Sequence, residues 1–486
     1  MNLPSEFPER ALAMAARAGL GFLGSAPEIV GSDPVMRFPT PIGEAAATAM
    51  ALCGDAVAEI WRRRTGEAQR PRVAVRAAAA AMAGYAFQLL QPADGIVLEG
   101  WEKEPAGWRA WGAHALLAGS NASDPAIGIY RCRDGRWIHL HGGLPHLAER
   151  IMAVLGTDRA GICAAVAEWD SEQLDEALAE ARTCGAVVRS AEEWRRMEQG
   201  DALSRLPAVE VLRIGDAPPV PLPAGGAPLE GLRVLDLTTV VAGPTCARNL
   251  AQHGADVLHV CAPGRTERQP FEIDTGHGKR STLIDLRSVA GQERLAGLAT
   301  EADVFVQGYR PGAIAGLGFG PADVAALRPG IIYVSISCYG PVGPLAPRRG
   351  WEGLAQAATG LTIDRGDAPP RLAPGSVCDY ITGYLAARGV LEAILRRAEE
   401  GGSWHVRTSL CQTGMWLAGL DKVDETLAPS QPDLFDDLLV RTETAYGTLR
   451  HLPPALQLDL TPPRWRRPPP LPGGDAPEWE PRAGSA

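Results

Sequence analysis

The stretch GLRVLDLTTVVAGPTCARNLAQHGADVLHV, residues 231–260, alternates short apolar strand-like runs with an amphipathic helical segment. The alternation continues downstream through STLIDL, SVAGQERLAGLATEA, DVFVQG, PADVAALRP and IIYVSIS. Short apolar strands separated by amphipathic helices are typical of a parallel sheet buried between helices. The sequence therefore predicts an α/β fold over residues 232–423, with an open parallel sheet and helices on both faces.

A second unit is predicted before this sheet. The Pro/Gly-rich run GDAPPVPLPAGGAPLEG, residues 215–231, is typical of a linker. Upstream of it, GIYRCRDGRWIHLHGG carries Asp134-Gly135 between two aromatic-bearing runs, which predicts a β-hairpin. The segments LPHLAERIMAVLG and DSEQLDEALAEAR follow with helical spacing. Residues 106–214 are therefore interpreted as a smaller α+β domain.

The two ends of the chain differ from these units. Residues 1–105 are Ala-rich in part and are interpreted as a helical region that includes a helix followed by the short strand of RPRVAVRAAAA. Residues 424–486 finish in TPPRWRRPPPLPGGDAPEWEPRAGSA, which has too many prolines for a helix or a central strand. This last part is predicted to be an extended Pro-rich segment.

A weak internal repeat links the first region to the α/β unit. A shift of 333 residues lays residues 56–75 on residues 389–408, and both copies read as helix, double arginine, break and strand. The identities pair Val57, Glu59, Arg63, Arg64 and Val73 with Val390, Glu392, Arg396, Arg397 and Val406. The same shift places Ala46 opposite Asp379. The first copy is therefore predicted to lack that carboxylate.

Composition excludes several classes of function. The net charge of −10 and the lack of a Lys/Arg run argue against a nucleic-acid or anionic-membrane partner. Nine scattered cysteines without a CxxC pair favour neither zinc nor a disulfide framework and fit a reducing cytoplasm. Glu6 and Glu9 lie where a secretory signal needs positive charge, and no apolar run is long enough to span a membrane. We expect a cytoplasmic small-molecule enzyme.

Five segments, taken in order, resemble the class III CoA-transferases, the family of formyl-CoA transferase, carnitine CoA-transferase and α-methylacyl-CoA racemase. They are GLRVLDLTTVVAGPTCARNLAQHGADVLHV, GHGKRSTLIDL, ADVFVQGYRPGAIAGLGFG, IIYVSISCYGPVGP and GSVCDYITG. The resemblance spans residues 229 to about 420. The small-domain part resembles the family's small domain but precedes the nucleotide-fold part, whereas in the family it normally follows. The resemblance implies a homodimer, and the altered order leaves open whether the family's interlocked dimer is kept.

The resemblance also implies the chemistry. In this family an aspartate attacks an acyl-CoA thioester, and the resulting anhydride exchanges to an aspartyl-CoA thioester that passes CoA to a second carboxylic acid. By residue match, Asp379 is that nucleophile. The implied partners are an acyl-CoA and a carboxylic acid, with no tightly bound cofactor and no metal. No GxGxxG follows the first strand, which disfavours a nicotinamide or flavin site.

The alternative for Asp379 is a purely structural role. Asp is a preferred N-cap, and the segment after it predicts a helix whose buried face carries Ile381, Tyr384, Leu385, Leu391 and Leu395. Both roles can coexist, because a helix N-terminus favours the ionised carboxylate that attacks. A cap would leave the sequence unchanged, so the family resemblance decides for the nucleophile.

Candidate CoA-binding residues follow several strands of the predicted sheet. Arg265 and Arg268 come after ADVLHV, at the carboxyl edge where open α/β sheets bind ligands, and their alternative is solvated loop positions. Cys261, just before them, replaces a glutamate common in the family. Lys279 and Arg280 lie in GHGKRS, where support of the strand entry is the alternative.

Two further segments complete the predicted CoA site. Tyr309 and Arg310 lie in QGYRPG, where fixing the loop is as plausible as contact with a phosphate. The loop VVAGP, with Val241, Ala242 and Gly243, opens a helix whose free N–H groups could polarise a carbonyl or bind an anion.

Two other functions remain as alternatives. A racemase needs a second base, a histidine in the segment corresponding to RRGWEGLAQ, and none is present there. A non-catalytic CoA-binding or regulatory protein is suggested by the altered domain order. His139 and His141 share one face of the predicted hairpin, but packing or surface roles are favoured over a metal.

Overall fold

The computed structural model describes residues 7–24, 27–98, 100–111, 124–222, 225–264, 269–429 and 435–481. The strands in this part of the chain are β1 Glu28–Val30, β2 Pro71–Ala74, β3 Leu89–Pro92, β4 Glu102–Lys103, β5 Arg109–Ala110, β6 Ile127–Arg131, β7 Trp137–His141, β8 Gly185–Val187, β9 Val209–Gly215, β10 Arg233–Asp236, β11 Asp256–Cys261, β12 Arg280–Leu283, β13 Val304–Gln307, β14 Ile332–Ser337, β15 Ile363–Arg365, β16 Ala368–Arg371, β17 Ser403–Ser409, β18 Val440–Thr444, β19 Gly447–His451 and β20 Leu456–Leu458.

The α-helices, numbered over the same residues, are α1 Phe7–Arg17, α2 Ile42–Thr65, α3 Val75–Ala81, α4 Pro145–Leu155, α5 Ile162–Val166, α6 Ser171–Glu180, α7 Ala191–Arg196, α8 Glu198–Ser204, α9 Ala242–Gln252, α10 Gln269–Gly276, α11 Val289–Glu301, α12 Pro321–Leu327, α13 Glu352–Thr359, α14 Val377–Glu400 and α15 Leu410–Ala418. Short 3-10 turns lie at Gly84–Ala86, Pro105–Gly107, Ala315–Leu317, Glu425–Leu427 and Asp436–Leu438.

The central sheet has seven strands in the order β12-β11-β10-β13-β14-β17-β9. Its first six strands are parallel, and only β9 runs antiparallel, on β17. The chain order reverses between β10 and β13, which leaves a crevice at their carboxyl ends, the usual ligand edge of an open α/β sheet. The predicted α/β fold with a parallel sheet is confirmed.

The sheet is buried on both faces because apolar residues occupy both sides of each central strand. Val234 and Val304 face one hydrophobic cluster, which includes α2, α9 and α14, whereas Leu235 and Phe305 face a second cluster beneath α11 and α12. Neighbouring residues of a strand point to opposite faces, so continuous apolar runs are what a doubly covered sheet requires.

Helices α9 and α14 pack closely on the first face. A Cβ built at Gly383 would lie 2.5 Å from the carbonyl oxygen of Ala242, so only glycine allows this approach. On its other side α14 contacts α2, where the Cys53 thiol donates to the carbonyl oxygen of Tyr384 at 3.0 Å. The N-terminal helix therefore packs directly against the helix that carries Asp379.

The smaller lobe contains the predicted hairpin. Strands β6 and β7 pair antiparallel, with Arg131 opposite Trp137, and Gly135 in the turn has φ +80°, a conformation that favours glycine. Strand β8 extends this sheet, and α4 and α6 correspond to the two helices predicted after the hairpin.

The observed sheets cross the predicted domain boundaries. Strand β9 lies within the predicted small domain, 106–214, yet forms the edge of the central sheet. A five-stranded sheet of order β18-β19-β3-β5-β4 joins residues 89–110 to residues 440–451. The prediction that 424–486 is extended throughout is therefore wrong for 440–458, since the prolines that motivated it concentrate beyond that range. Pairings between distant segments leave no local signal for such boundaries.

The last described residues, 459–481, run along the central α/β unit in extended form. The backbone N–H of Arg464 donates to Gln252, that of Gly278 to Arg467, and that of Asp475 to Ser281. This stretch covers one edge of the unit near α9 and β12.

Candidate active site

Asp379 is the third residue of α14, and its side chain is buried beside a second acid, Glu352, the first residue of α13. The Glu352 carboxylate accepts hydrogen bonds from the backbone N–H of Asp379, at 2.6 Å, and of Cys378, at 3.0 Å. The Gln356 side-chain amide donates a third, at 2.7 Å. Two carboxyl groups thus meet at one helix N-terminus.

This geometry changes the helix-cap alternative. Asp379 lies inside the helix, the N-cap is Ser376 without a side-chain cap bond, and Glu352 binds the first-turn N–H groups. Among the described residues, no donor is bonded to the Asp379 carboxyl group. The expectation that the helix N-terminus holds Asp379 ionised is therefore wrong, because those N–H groups stabilise Glu352 instead.

Both acids have raised pKa values, and the causes separate their roles. Burial and then the neighbouring Glu352 carboxylate raise the pKa of Asp379 well above its usual range. Burial also raises the pKa of Glu352, but its hydrogen bonds from Gln356, Cys378 and Asp379 act in the opposite direction. Like charges this close cannot both ionise easily, so the pair shares a proton, which in the resting site lies on Asp379.

A buried polar network holds the start of α14 in place. The Tyr380 hydroxyl donates to Asp274 at 2.7 Å, and Asp274 forms a buried ion pair with Arg248 at 2.8 Å. The Tyr85 hydroxyl lies 3.1 Å from Ser376 Oγ, immediately before α14, and its backbone N–H donates to the Tyr380 hydroxyl. Tyr85 comes from the N-terminal region, which thereby contributes to the site.

The loop predicted to polarise a carbonyl lies against α14. Val240 has φ +70°, and Ala242 begins α9, whose close contact with Gly383 is one helical turn from Asp379. Val241 is buried, and a Cβ at Gly243 would overlap Thr238 at 2.3 Å. Val241, Ala242 and Gly243 are thus brought near the acid pair.

Lys279 and Arg280 are both engaged in ion pairs within the protein. Lys279 Nζ is buried, 2.8 Å from Asp236 and 2.9 Å from the carbonyl oxygen of Pro244. Arg280 binds Asp256 at 3.0 Å and donates to the carbonyl oxygen of Glu478 at 2.8 Å. These contacts match the strand-supporting alternative, and contact with CoA through either residue stays a prediction.

Arg310 is exposed after β13 and lies close to a second arginine, Arg349. Partial burial, Arg310, and two arginines of the smaller lobe, Arg150 and Arg182, lower the pKa of Arg349. None of the four forms an ion pair with a described carboxylate, and Arg150 donates to the carbonyl oxygen of Arg182 at 2.9 Å. The sequence offered no signal for this cluster, because its members come from both lobes.

The other predicted CoA contacts divide in two. Tyr309 packs at the edge of the second hydrophobic cluster. Arg265 and Arg268 lie outside the described residues.

The smaller lobe contacts the residues on either side of Glu352. The His141 ring stacks on Trp351, with centroids 5.4 Å apart. His139 is buried against Gly353, where an added Cβ would lie 2.2 Å from the ring. Burial lowers the pKa of His139 to about 4, so the ring is neutral. The two histidines therefore pack this lobe onto the start of α13.

Glu352 was missed from the sequence, although its segment, RRGWEGLAQ, was searched for a histidine base. The available signal was an acid at the start of an apolar helical run, the position where a carboxylate meets free N–H groups. That the N–H groups belong to another helix, α14, could not be read locally.

In the described part of the chain, no group of three His, Cys, Asp or Glu side chains is arranged to hold a metal ion. No helix in the same part has both the length and the apolar composition needed to cross a membrane.

The model of CoA-transferase family III matches residues 229–434, which include α9, α13, α14 and both acids. This part of the chain belongs to CoA-transferase family III. The acetyl-coenzyme A transferase nodX of Hypoxylon pulicicidum is 34% identical over 320 residues, which cover 60% of this chain and 54% of that protein. Human succinyl-CoA:glutarate CoA-transferase is 35% identical over 191 residues, 36% of this chain and 43% of that protein.

A solved structure of the family III-like protein Rv3272 from Mycobacterium tuberculosis is 31% identical, covers 40% of this chain and 57% of that chain, and has a TM-score of 0.38. The chain spans about half the length of the curated relatives it matches. The family III segment therefore accounts for the central α/β unit and the acid pair.

Proposed function

We propose that this protein moves CoA from an acyl-CoA to a carboxylic acid through a covalent intermediate on Asp379. The observation that carries the proposal is the buried acid pair, in which Asp379 has no donor on its carboxyl group while Glu352 accepts three. Nucleophilic catalysis needs a carboxylate oxygen that is free to attack, and of the two acids only Asp379 offers one.

The acid pair also supplies the proton step. As the thioester approaches, Glu352 takes the proton of Asp379, and the freed carboxylate attacks the thioester carbon. The C–S bond breaks, CoA leaves as a thiolate, and a mixed anhydride forms. The thiolate then attacks the aspartyl carbonyl and releases the donor acid, which leaves aspartyl-CoA. The acceptor acid repeats the two exchanges in reverse and restores Asp379.

The arginine cluster supports a place for the CoA phosphates. Arg310 and Arg349 face the ligand edge of the sheet, and Arg349 is only three residues before Glu352. Four guanidinium groups without a carboxylate repel one another, so a phosphate or diphosphate between them would be stabilising. The homodimer and the cytoplasmic location implied by the resemblance belong to this proposal, and light scattering measures the first.

The test is trapping of the intermediate. The unaltered protein, incubated with acetyl-CoA or succinyl-CoA and an excess of a second acid, should yield a hydroxamate at Asp379 after hydroxylamine treatment. Asp379→Asn should abolish it and lower CoA exchange at least roughly 10⁴-fold. The matched control is Glu400→Gln, an exposed acid at the far end of the same helix. Full exchange in Asp379→Asn would contradict the proposal.

A further inference from the structure

Cys261 and His259 form a thiol–imidazole pair that the proposed acyl transfer does not use. They are two residues apart on β11, so both side chains lie on one face of the sheet. Cys261 Sγ is 3.5 Å from His259 Nδ1 and 3.6 Å from Ser281 Oγ on the neighbouring strand. The thiol is partly exposed.

A backbone contact fixes which ring nitrogen faces the thiol as an acceptor. His259 Nε2 lies 2.9 Å from the carbonyl oxygen of Thr238. A carbonyl oxygen only accepts, so Nε2 carries a hydrogen and donates it. Nδ1 is therefore the nitrogen that takes the proton of Cys261, which leaves a thiolate beside an imidazolium.

The surrounding charges support that proton position. Asp236 lies directly opposite His259 across the parallel strands and is bound to Lys279. The other ionisable groups near the pair are Glu272 and Tyr446. Burial acts to lower the pKa of His259, but the hydrogen bond with Cys261 and the Asp236 carboxylate outweigh it and raise this pKa to about 9.

The pair opens onto a cavity of about 20 Å³, lined also by Pro244, Thr275, Pro470 and Pro472. A volume of this size holds about one water-sized molecule. The cavity therefore fits a reagent close to water in size and excludes a bulky thiol or disulfide.

We propose that Cys261 is a modification site, at which His259 prepares the thiolate for oxidation by a small hydroperoxide such as hydrogen peroxide. The thiolate attacks one peroxide oxygen, an S–O bond forms, and the O–O bond breaks. Sulfur is oxidised to a sulfenic acid, the peroxide is reduced, and the departing hydroxide takes the imidazolium proton to become water.

The other cysteines provide a comparison within one molecule. Cys163 is exposed, more accessible than Cys261, and has no histidine partner among the described residues. The remaining cysteines are buried: Cys53, Cys132, Cys184, Cys246, Cys338, Cys378 and Cys411. A faster reaction at Cys261 than at Cys163 would thus reflect the imidazole rather than exposure.

The experiment treats the full-length protein with hydrogen peroxide and dimedone at pH 6.5 to 9 and quantifies labelled peptides by mass spectrometry. We expect Cys261 to be labelled about tenfold faster than Cys163 at pH 6.5, with the ratio falling toward pH 9, since an ordinary thiol has a pKa near 8.5. Equal rates with the same pH midpoint at both cysteines would overturn the proposal.

Two variants separate the proton role from packing. His259→Gln keeps a donor for Thr238 but cannot hold the proton, so labelling of Cys261 at pH 6.5 should fall about tenfold while Cys163 is unchanged. Ser281→Ala removes the other polar neighbour of the thiol and should change the rate less than twofold. Should His259→Gln fail to fold, the pH profiles of the two cysteines in the unaltered protein decide. Equal losses in both variants would contradict the proposal.

Discussion

Helices α2 and α14 each contain 24 residues, and each has a buried acid at its third position, Glu44 in α2 and Asp379 in α14. In both, the backbone N–H of that acid donates to a second carboxylate. The partner is Asp33 for Glu44, at 2.7 Å, and Glu352 for Asp379, at 2.6 Å. Neither helix has a side-chain bond from its own N-cap.

The difference between the two sites is a cation. Arg10 binds Glu44 Oε2 at 2.8 Å, and the N–H of Asp33 donates to the other oxygen of Glu44 at 3.2 Å. Asp379 has neither kind of partner among the described residues. The same arrangement therefore yields a neutralised, structural acid in α2 and an acid free to react in α14.

The comparison also corrects the repeat. A shift of 333 residues places Ala46 opposite Asp379, but the helices begin at Ile42 and Val377, a shift of 335 that places Glu44 there. The expectation that the first copy lacks a carboxylate at this position is therefore wrong. Identities near the helix ends set the sequence shift, whereas helix starts set the structural one.

The largest effect on this comparison is expected from Glu352→Gln. The amide accepts at only one oxygen and cannot take the proton of Asp379, so exchange should fall roughly 10²- to 10³-fold. A backbone N–H left without a partner should also cost about 1–3 kcal/mol of stability. Measurements of kcat across pH and of thermal unfolding check both, and the pH profile should simplify to one ionisation because only one acid remains.

The matched variant is Asp33→Asn at the other helix. It should lose a similar amount of stability, about 1–2 kcal/mol, with exchange unchanged within about threefold. In the unaltered protein, the raised pKa values of Asp379 and Glu352 predict that kcat declines on acidification before pH 4 is reached. Equal loss of exchange in both variants would show that the two pairs do not differ in function.

A smaller effect is expected from Arg10→Gln, which removes the cation from the α2 site. Burial already raises the pKa values of Asp33 and Glu44, so their ionisation in the folded protein lowers its stability above the unfolded-state pKa near 4. Without Arg10 these pKa values rise further. The loss should be about 1 kcal/mol at pH 7, because Arg10 is half-exposed, and should shrink as pH approaches 4.

Thermal unfolding of Arg10→Gln and the unaltered protein between pH 4 and 8 measures this. A loss that grows on acidification would contradict the assignment of raised pKa values to this pair. Arg17→Gln is the control, since Arg17 also lies on α1 but pairs with the exposed Asp421.

The central sheet could be predicted because its strands are continuous apolar runs, buried on both faces, with helices between them. LRVLDL and DVFVQG gave β10 and β13 nearly to the residue. The hairpin β6–β7 was equally local, since Asp134-Gly135 marks its turn. The five-stranded sheet could not be predicted, because β19 pairs with β3 some 360 residues away and neither strand shows it.

At the site, Asp379 was found through the family motif, but its electrostatic surroundings were not. Those depend on Glu352, 27 residues earlier, and on which acid receives the helix N–H groups. Lys279 shows the converse limit, because a lysine in a motif reads as a ligand while the fold buries it on Asp236. Tertiary contacts decide charge states that composition and spacing leave open.

The smallest effect is expected from Tyr85→Phe, which tests whether the region around α2 contributes to the α14 site. The change removes the hydroxyl 3.1 Å from Ser376 Oγ but keeps the ring between Trp111 and Phe271. Loss of one buried hydrogen bond should cost about 1 kcal/mol, and loosening of the start of α14 should lower kcat about two- to fivefold with little change in KM.

The control for Tyr85→Phe is Tyr130→Phe, whose hydroxyl donates to the carbonyl oxygen of Pro125 in the smaller lobe. It should leave kcat unchanged. Unaltered kcat in both variants would mean that the N-terminal region supports α14 only by packing, and the two helix sites would then be coupled through their apolar contact rather than through the hydroxyl of Tyr85.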